Sequence, residues 1–179
     1  MFKKLGVLVT FVMLTFTSAY CAGGEQPSKG SDDKPSKYDK GHKLVISGKY
    51  LEKKADKSLK KGNTKKAEKS IAKAKERYEK AFKILLEANR EKPNNPDTLN
   101  YLGFTSRKLG NFETAEEYYL EGLKIKPNHK RINQYLGELY LNTNRKDKAI
   151  RQLTILESCN CKEYDQLKEI IDGKRTSKY

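Results

Sequence analysis

The chain of 179 residues holds no tryptophan, three cysteines, two histidines and five prolines. Each shortage removes a class of chemistry. His42 and His129 are far apart in the sequence, and the HExxH and GxSxG signatures and any glycine-rich phosphate loop are absent. Carboxylates are numerous but fall at the spacing of solvated helix faces. No catalytic residue, metal or cofactor is therefore expected, and the chain reads as a non-enzyme. Hydrophobic residues make up 36% and charged residues 34%, too thin a supply for the core of a large α/β enzyme. The abundance of Lys, Glu, Leu and Ala suits helices with narrow buried stripes instead.

Acidic residues are also in deficit, with 23 Asp and Glu against 38 Lys and Arg, a net charge of +15. The imbalance is local. Lys49 to Lys80 holds 13 basic and five acidic residues, whereas Asp97 to Glu157 holds ten and eight. One region is thus a cationic rod. Such a field favours anionic partners, although keeping a helix in solution accounts for it more readily.

The first residues read as a leader. Lys3 and Lys4 precede an apolar run from Leu5 to Thr17, and Thr17-Ser18-Ala19 supplies small residues for cleavage before Tyr20. The run is shorter than the ~20 apolar residues of a spanning helix. Residues 1–19 are expected to be a signal peptide and the mature protein to be exported, most simply to a periplasm. Lipid anchoring at Cys21 is the alternative, against which Tyr20 occupies a place that wants a small residue. Export removes nucleic acid from the expected partners. Residues 20–36, with EQPSKGSDDKPSK spanning their end, have little to bury and read as a disordered linker.

The strongest internal signal is a period of 34 residues. It superposes Tyr101 on Tyr135, Leu102 on Leu136, Gly103 on Gly137 and Ala115 on Ala149. Gly103 and Gly137 let two helices approach closely, and the two alanines do the same from the second helix. Gly110-Asn111 and Thr143-Asn144 supply turns, and Pro93, Pro96 and Pro127 bracket the junctions. This pattern resembles the tetratricopeptide repeat. Leu99, Leu102, Gly103, Ala115, Tyr119, Gly122 and Pro127 stand at the matching places of one unit, and Leu136, Gly137, Tyr140, Ala149, Leu153 and Leu156 match the next. Ser106 departs where a large apolar residue is usual, and Cys161 where Pro is usual.

One period upstream, Ala81, Leu85, Ala88 and Pro93 form a second helix without its first, because position 69 is Lys. Gly41 supplies the missing match, displaced by 28 residues. An insert of that size adds two heptads to each arm of an antiparallel hairpin, with its tip at Lys61-Gly62-Asn63. Gly48 is a candidate bend. The rival reading is an additional ordinary repeat over Leu51 to Lys80; the unbroken run from Thr64 to Lys92 favours the stretched hairpin. Tyr164, Leu167, Ile170 and Ile171 share one helical face before Gly173, as a capping helix would.

The expected architecture is an all-α superhelix of about three hairpin repeats: an elongated hairpin over 37–93, repeats over 94–127 and 128–161, a capping helix over 162–173 and a disordered tail over 174–179. The resemblance implies a concave groove lined by the first helix of each unit, with Asn100, Tyr101, Phe104, Arg107, Arg131, Gln134, Tyr135 and Glu138 at exposed groove positions. Tyr38 and His42 would extend it. An exposed Phe104 would be the strongest anchor. The implied function is a scaffold or adaptor of the cell envelope holding a peptide or protein. Alternatives are an anionic envelope polymer or lipid bound by the Lys-rich hairpin and, more remotely, thiol-disulfide exchange. The latter would use Cys159 and Cys161, whose first reading is a structural disulfide. His129, in an inter-unit turn, reads as a surface residue.

Overall fold

The computed structural model describes residues 34–177. The expected signal peptide, its cleavage site, Cys21 and most of the linker lie outside the described residues. Among the described residues every regular element is helical.

Side chains of short reach set the first three helix starts. The Ser36 hydroxyl accepts from the Asp39 backbone N–H while the Asp39 carboxylate accepts from that of Ser36, a reciprocal cap that opens α1 (Lys37–Leu59). Asn63 accepts from the Lys66 N–H and opens α2 (Thr64–Glu91). Asn95 accepts from the N–H groups of Asp97 and Thr98 and, with Pro96 in the first turn, opens α3 (Pro96–Lys108). The chain continues through α4 (Phe112–Ile125), α5 (Lys130–Asn142), α6 (Lys146–Leu156), a 3-10 turn over Glu157–Cys159 and α7 (Lys162–Ile171).

Helix ends reuse one device. Gly62, Gly110, Asn144 and Gly173 have φ of +71°, +85°, +56° and +71°, a region that favours Gly and tolerates Asn. At each, the next N–H reaches back to an orphan carbonyl: Asn63 to Ser58, Asn111 to Ser106, Arg145 to Tyr140 and Lys174 to Glu169. The backbone therefore reverses sharply after α1, α3, α5 and α7.

The described residues form an all-α stack of three hairpins, α1–α2, α3–α4 and α5–α6, with α7 covering the last. The first hairpin is the elongated one. Its second helix has 28 residues where α4 has 14, and its first has 23 where α3 has 13. Fourteen extra residues in α2 correspond to a projection of about 21 Å.

The arms of this hairpin meet through residues without side chains. A Cβ on Gly41 would meet Leu85, one on Gly48 would meet the ring of Tyr78, and one on Gly103 would meet the ring of Tyr119. Gly48 is thus a contact point inside a continuous α1. The steps Gly41 to Gly48 and Leu85 to Tyr78 are each one heptad, which keeps the contact face in phase. Gly137 differs from Gly103. Its nearest neighbour is Leu167 of α7, with Gln152 of α6 beyond. Leu153 stands where Tyr119 stands in the preceding unit; it is smaller and half-buried.

The apolar core sits between successive hairpins. One cluster joins Val45, Tyr78, Ala81 and Leu85 to Leu99, Leu102 and Phe104. The next joins Ala115 and Tyr119 to Ile132, Leu136, Leu139, Tyr140 and Ala149. Each unit buries its stripe against its neighbour, the logic of a repeat array. Pro93 and Pro127 lie exposed, each two residues past a helix end. The sulfurs of Cys159 and Cys161 lie at bonding distance in the turn before α7, with Asn160 left-handed between them at φ +42°.

Candidate functional site

Because α1, α3 and α5 are the first helices of their hairpins, their free faces lie side by side. Two groups of side chains gather there.

The first is aromatic. Tyr38 and His42 stand one turn apart on α1 with ring centroids 5.9 Å apart, and both approach Tyr101 of α3, His42 at 4.7 Å and Tyr38 at 6.1 Å. Arg131 at the start of α5 donates to the Tyr101 hydroxyl at 2.8 Å. The His42 imidazole is held below its ordinary pKa, first by burial and then by the Arg131 charge.

The second group is the centre of the face. Lys49 of α1 reaches between two rings, 4.3 Å from the Phe104 centroid and 5.2 Å from that of Tyr135, and donates to the Tyr135 hydroxyl at 2.9 Å. Phe104 and Tyr135 are themselves 5.3 Å apart. Arg107 donates to Glu138 at 3.1 Å and to the Tyr135 carbonyl at 3.2 Å. Lys108 pairs with Glu52 of α1 at 2.8 Å. Gln134 donates to the other Glu138 oxygen at 3.0 Å and to Gln166 of α7 at 2.8 Å.

These residues line an open cleft of about 400 Å³. A second cleft of about 650 Å³ follows along the projecting hairpin, with Ala55, Leu59, Ile71, Ala74 and Tyr78 in its wall. Lys49 is the electrostatic key. Burial, then the charges of Arg131 and Arg107, push its amine down to about 8. Glu52 and Glu138 are engaged by Lys108 and Arg107, whereas the Lys49 amine is held by a hydroxyl and two π-faces. Its surroundings favour an incoming anionic group.

The helix lengths, the contact glycines and the 34-residue register all describe one recurring hairpin, and one of its units matches a family model. Residues 96–129 match the tetratricopeptide repeat. That unit comprises α3, α4 and the turn to α5. No curated protein matches the chain significantly. Among solved structures, the type III secretion translocator chaperone SycD of Yersinia enterocolitica, in an alternative dimer, is 17% identical over 72% of this chain and 88% of its own, at a TM-score of 0.48. The first TPR of Spaghetti (RPAP3) bound to an HSP90 peptide is 16% identical over 74% of this chain and 96% of its own, at 0.49. The second TPR domain of human RPAP3 in complex with an HSP70 peptide is 15% identical over 74% and 98%, at 0.47.

Within this repeat frame the expected groove residues separate. Phe104, Arg107, Gln134, Tyr135 and Glu138 line the central cleft. Tyr101 and Arg131 belong to the aromatic group at its edge. Asn100 joins neither; it is completely buried within α3. Exposure is the main correction. Phe104 is 3% exposed and Tyr101 2%, because Lys49 and His42 of the long α1 lie across their rings. Phe104 is the floor of the cleft rather than a projecting anchor. His129 also departs from a surface turn. It is buried, its Nδ1 accepts from the Ile132 N–H at 3.2 Å, and its Nε2 lies 3.2 Å from Asp97. With Nδ1 accepting, Nε2 carries the proton and donates, so His129 ties α5 to α3.

Lys49, Glu52 and Gln166 are cleft residues that repeat register does not single out. A signal existed for the first two: the stripe Tyr38–His42 continues along α1 through Lys49 to Glu52 at helical spacing. Among the described residues, no cluster of His, Cys, Asp and Glu could hold a metal ion, and no helix is long and apolar enough to cross a membrane.

Proposed function

We propose that the chain is a non-enzymatic scaffold that holds an extended segment of a partner protein along the face formed by α1, α3 and α5. The observation that carries this reading is the convergence of Lys49, Phe104, Arg107 and Tyr135, from three different hairpins, on one open cleft. Aromatic floors with the Lys49 amine set between them suit a segment with apolar side chains and an acidic group. The carboxylate would displace the Tyr135 hydroxyl as partner of Lys49 and remain over the rings. Charge-assisted bonds of this kind are about twice as strong as neutral ones. The matched repeat supports the scaffold reading, since stacked hairpins of this family present such faces.

We further propose export, on the leader-like residues 1–19, with an envelope partner. Mass spectrometry of the mature protein tests cleavage before Tyr20 and lipidation of Cys21 together. The binding reading is tested by affinity capture from an envelope extract, comparing the native chain with Lys49→Met/Tyr135→Phe and Phe104→Leu. The first two changes nearly conserve volume and the third reduces it slightly, and circular dichroism verifies the fold. Specific partners are expected to weaken at least about tenfold with the double variant, the worth of one charged hydrogen bond. Unchanged capture by both folded variants would count against the groove.

A further inference from the structure

The segment after α7 does not leave the molecule. Gly173, at φ +71°, reverses the chain, and the N–H groups of Lys174 and Arg175 both reach back to the Glu169 carbonyl at 2.9 and 3.1 Å. Arg175 and Thr176 then line the central cleft beside Lys49, Phe104 and Tyr135. Thr176 and Ser177 line the second cleft beside Leu59, Ile71 and Tyr78. Ser177 donates to Glu138 at 3.4 Å. Residues 174–177, expected from composition to belong to a disordered tail, thus have defined neighbours on the face where a partner would lie.

We propose that Lys174–Ser177 is a displaceable wall of the two clefts, lying across the path of a partner segment that would span both; this deepens the groove reading above and rests on it. The segment is well placed but poorly matched. It offers no apolar side chain to the rings of Phe104 and Tyr135. Its described side-chain bonds are long, 3.4 Å from Ser177 to Glu138 and 3.4 Å from Arg175 to Glu169, and bonds of that length between partly exposed groups hold little. Arg175 is the fifth cation of a cleft lined by Lys49, Lys53, Arg107 and Lys108 against Glu52 and Glu138, and adds to its cationic excess. An acidic segment would exchange that repulsion for attraction.

Tethering makes even this weak ligand count, because a short tether holds it at roughly millimolar effective concentration. A binding path covered by the segment nine-tenths of the time takes its partner about tenfold more weakly. The segment then sets a threshold: strong acidic ligands displace it and weak ones do not.

The test compares the full chain with a variant ending at Gly173 and with Thr176→Gly/Ser177→Gly, which removes both side chains and the hydrogen bond to Glu138. Amide NMR shifts of Glu138, Phe104 and Tyr135 report the cleft without any partner. Both variants are expected to move these three amides together, and residues 174–179 added back as a free hexapeptide are expected to restore the full-chain shifts in the truncated variant. The same labelled hexapeptide is expected to bind the full chain about tenfold more weakly than the truncated one. Unmoved cleft amides in both folded variants would overturn the proposal, as would equal hexapeptide binding by full and truncated chains. Moved amides together with intact partner capture by the Lys49→Met/Tyr135→Phe variant would sink the groove reading while leaving the tail in place.

Discussion

At Gly103 two opposing magnitudes meet. Alanine in a helix interior gains up to about 1 kcal/mol over glycine, but a Cβ here would lie 2.6 Å from the fully buried ring of Tyr119. Overpacking of that kind costs about 1–3 kcal/mol, so Gly103→Ala is expected to destabilise, read as a lower urea midpoint at unchanged slope. Gly62→Ala meets no atom, yet is expected to destabilise by about 1 kcal/mol because its φ is positive. His129→Ala removes a helix cap and the tie to Asp97, with an expected loss of about 1 kcal/mol by the same assay. The Arg107–Glu138 pair is nearly dry, with side chains 2% and 9% exposed. Arg107→Ala would leave a buried carboxylate without its main partner, a loss of about 3–5 kcal/mol, and Arg107→Met with Glu138→Leu is expected to recover most of it. Thermal unfolding of the single and double variants checks this.

Among the helices, what could be read in advance was whatever depends on spacing. Gly41, Gly103 and Ala115 mark helix–helix approach because no larger residue permits it, and turn positions follow from Gly110 and Asn144, which tolerate the left-handed region. The cleft was less legible. Register puts Phe104 on the free face of α3, but nothing within α3 says that Lys49 will cover it. That contact comes from α1, whose extension displaces its sequence match by 28 residues. Gly137 is a similar case, since a half-buried Leu153 leaves its cover to α7. A bond between Cys159 and Cys161, whose sulfurs lie at bonding distance, would close only the turn before α7. A loop this small restricts the unfolded chain by less than about 2 kcal/mol. Replacing both cysteines by serine is therefore expected to lower thermal stability slightly while leaving partner capture intact; loss of capture would point to a role for the thiols.

For the molecule as a whole, the titration of Lys49 gives binding a direction in pH. Its amine is held near 8 in the free protein, and an anionic ligand would raise it, so the complex takes up protons above that pH. Affinity for an acidic segment is expected to be flat from pH 6 to about 7.5 and to fall up to tenfold per unit above about 8. Calorimetric titration at several pH values checks this, and Lys49→Met is expected to remove the slope. Folding responds in the opposite sense. A depressed lysine binds fewer protons folded than unfolded between pH 8 and its ordinary 10.5, so this residue's contribution to stability rises over that window.

The two glycines of α1 also make the projecting hairpin adjustable. Its arms touch at intervals of one heptad, so residues can be added or removed in matched blocks of seven per arm without turning either helix on its axis. Each block would move the cationic tip by about 10 Å relative to the cleft and leave the repeats beneath it undisturbed. A family of such variants would be a ruler, reporting how far from the groove a second contact on the same partner lies.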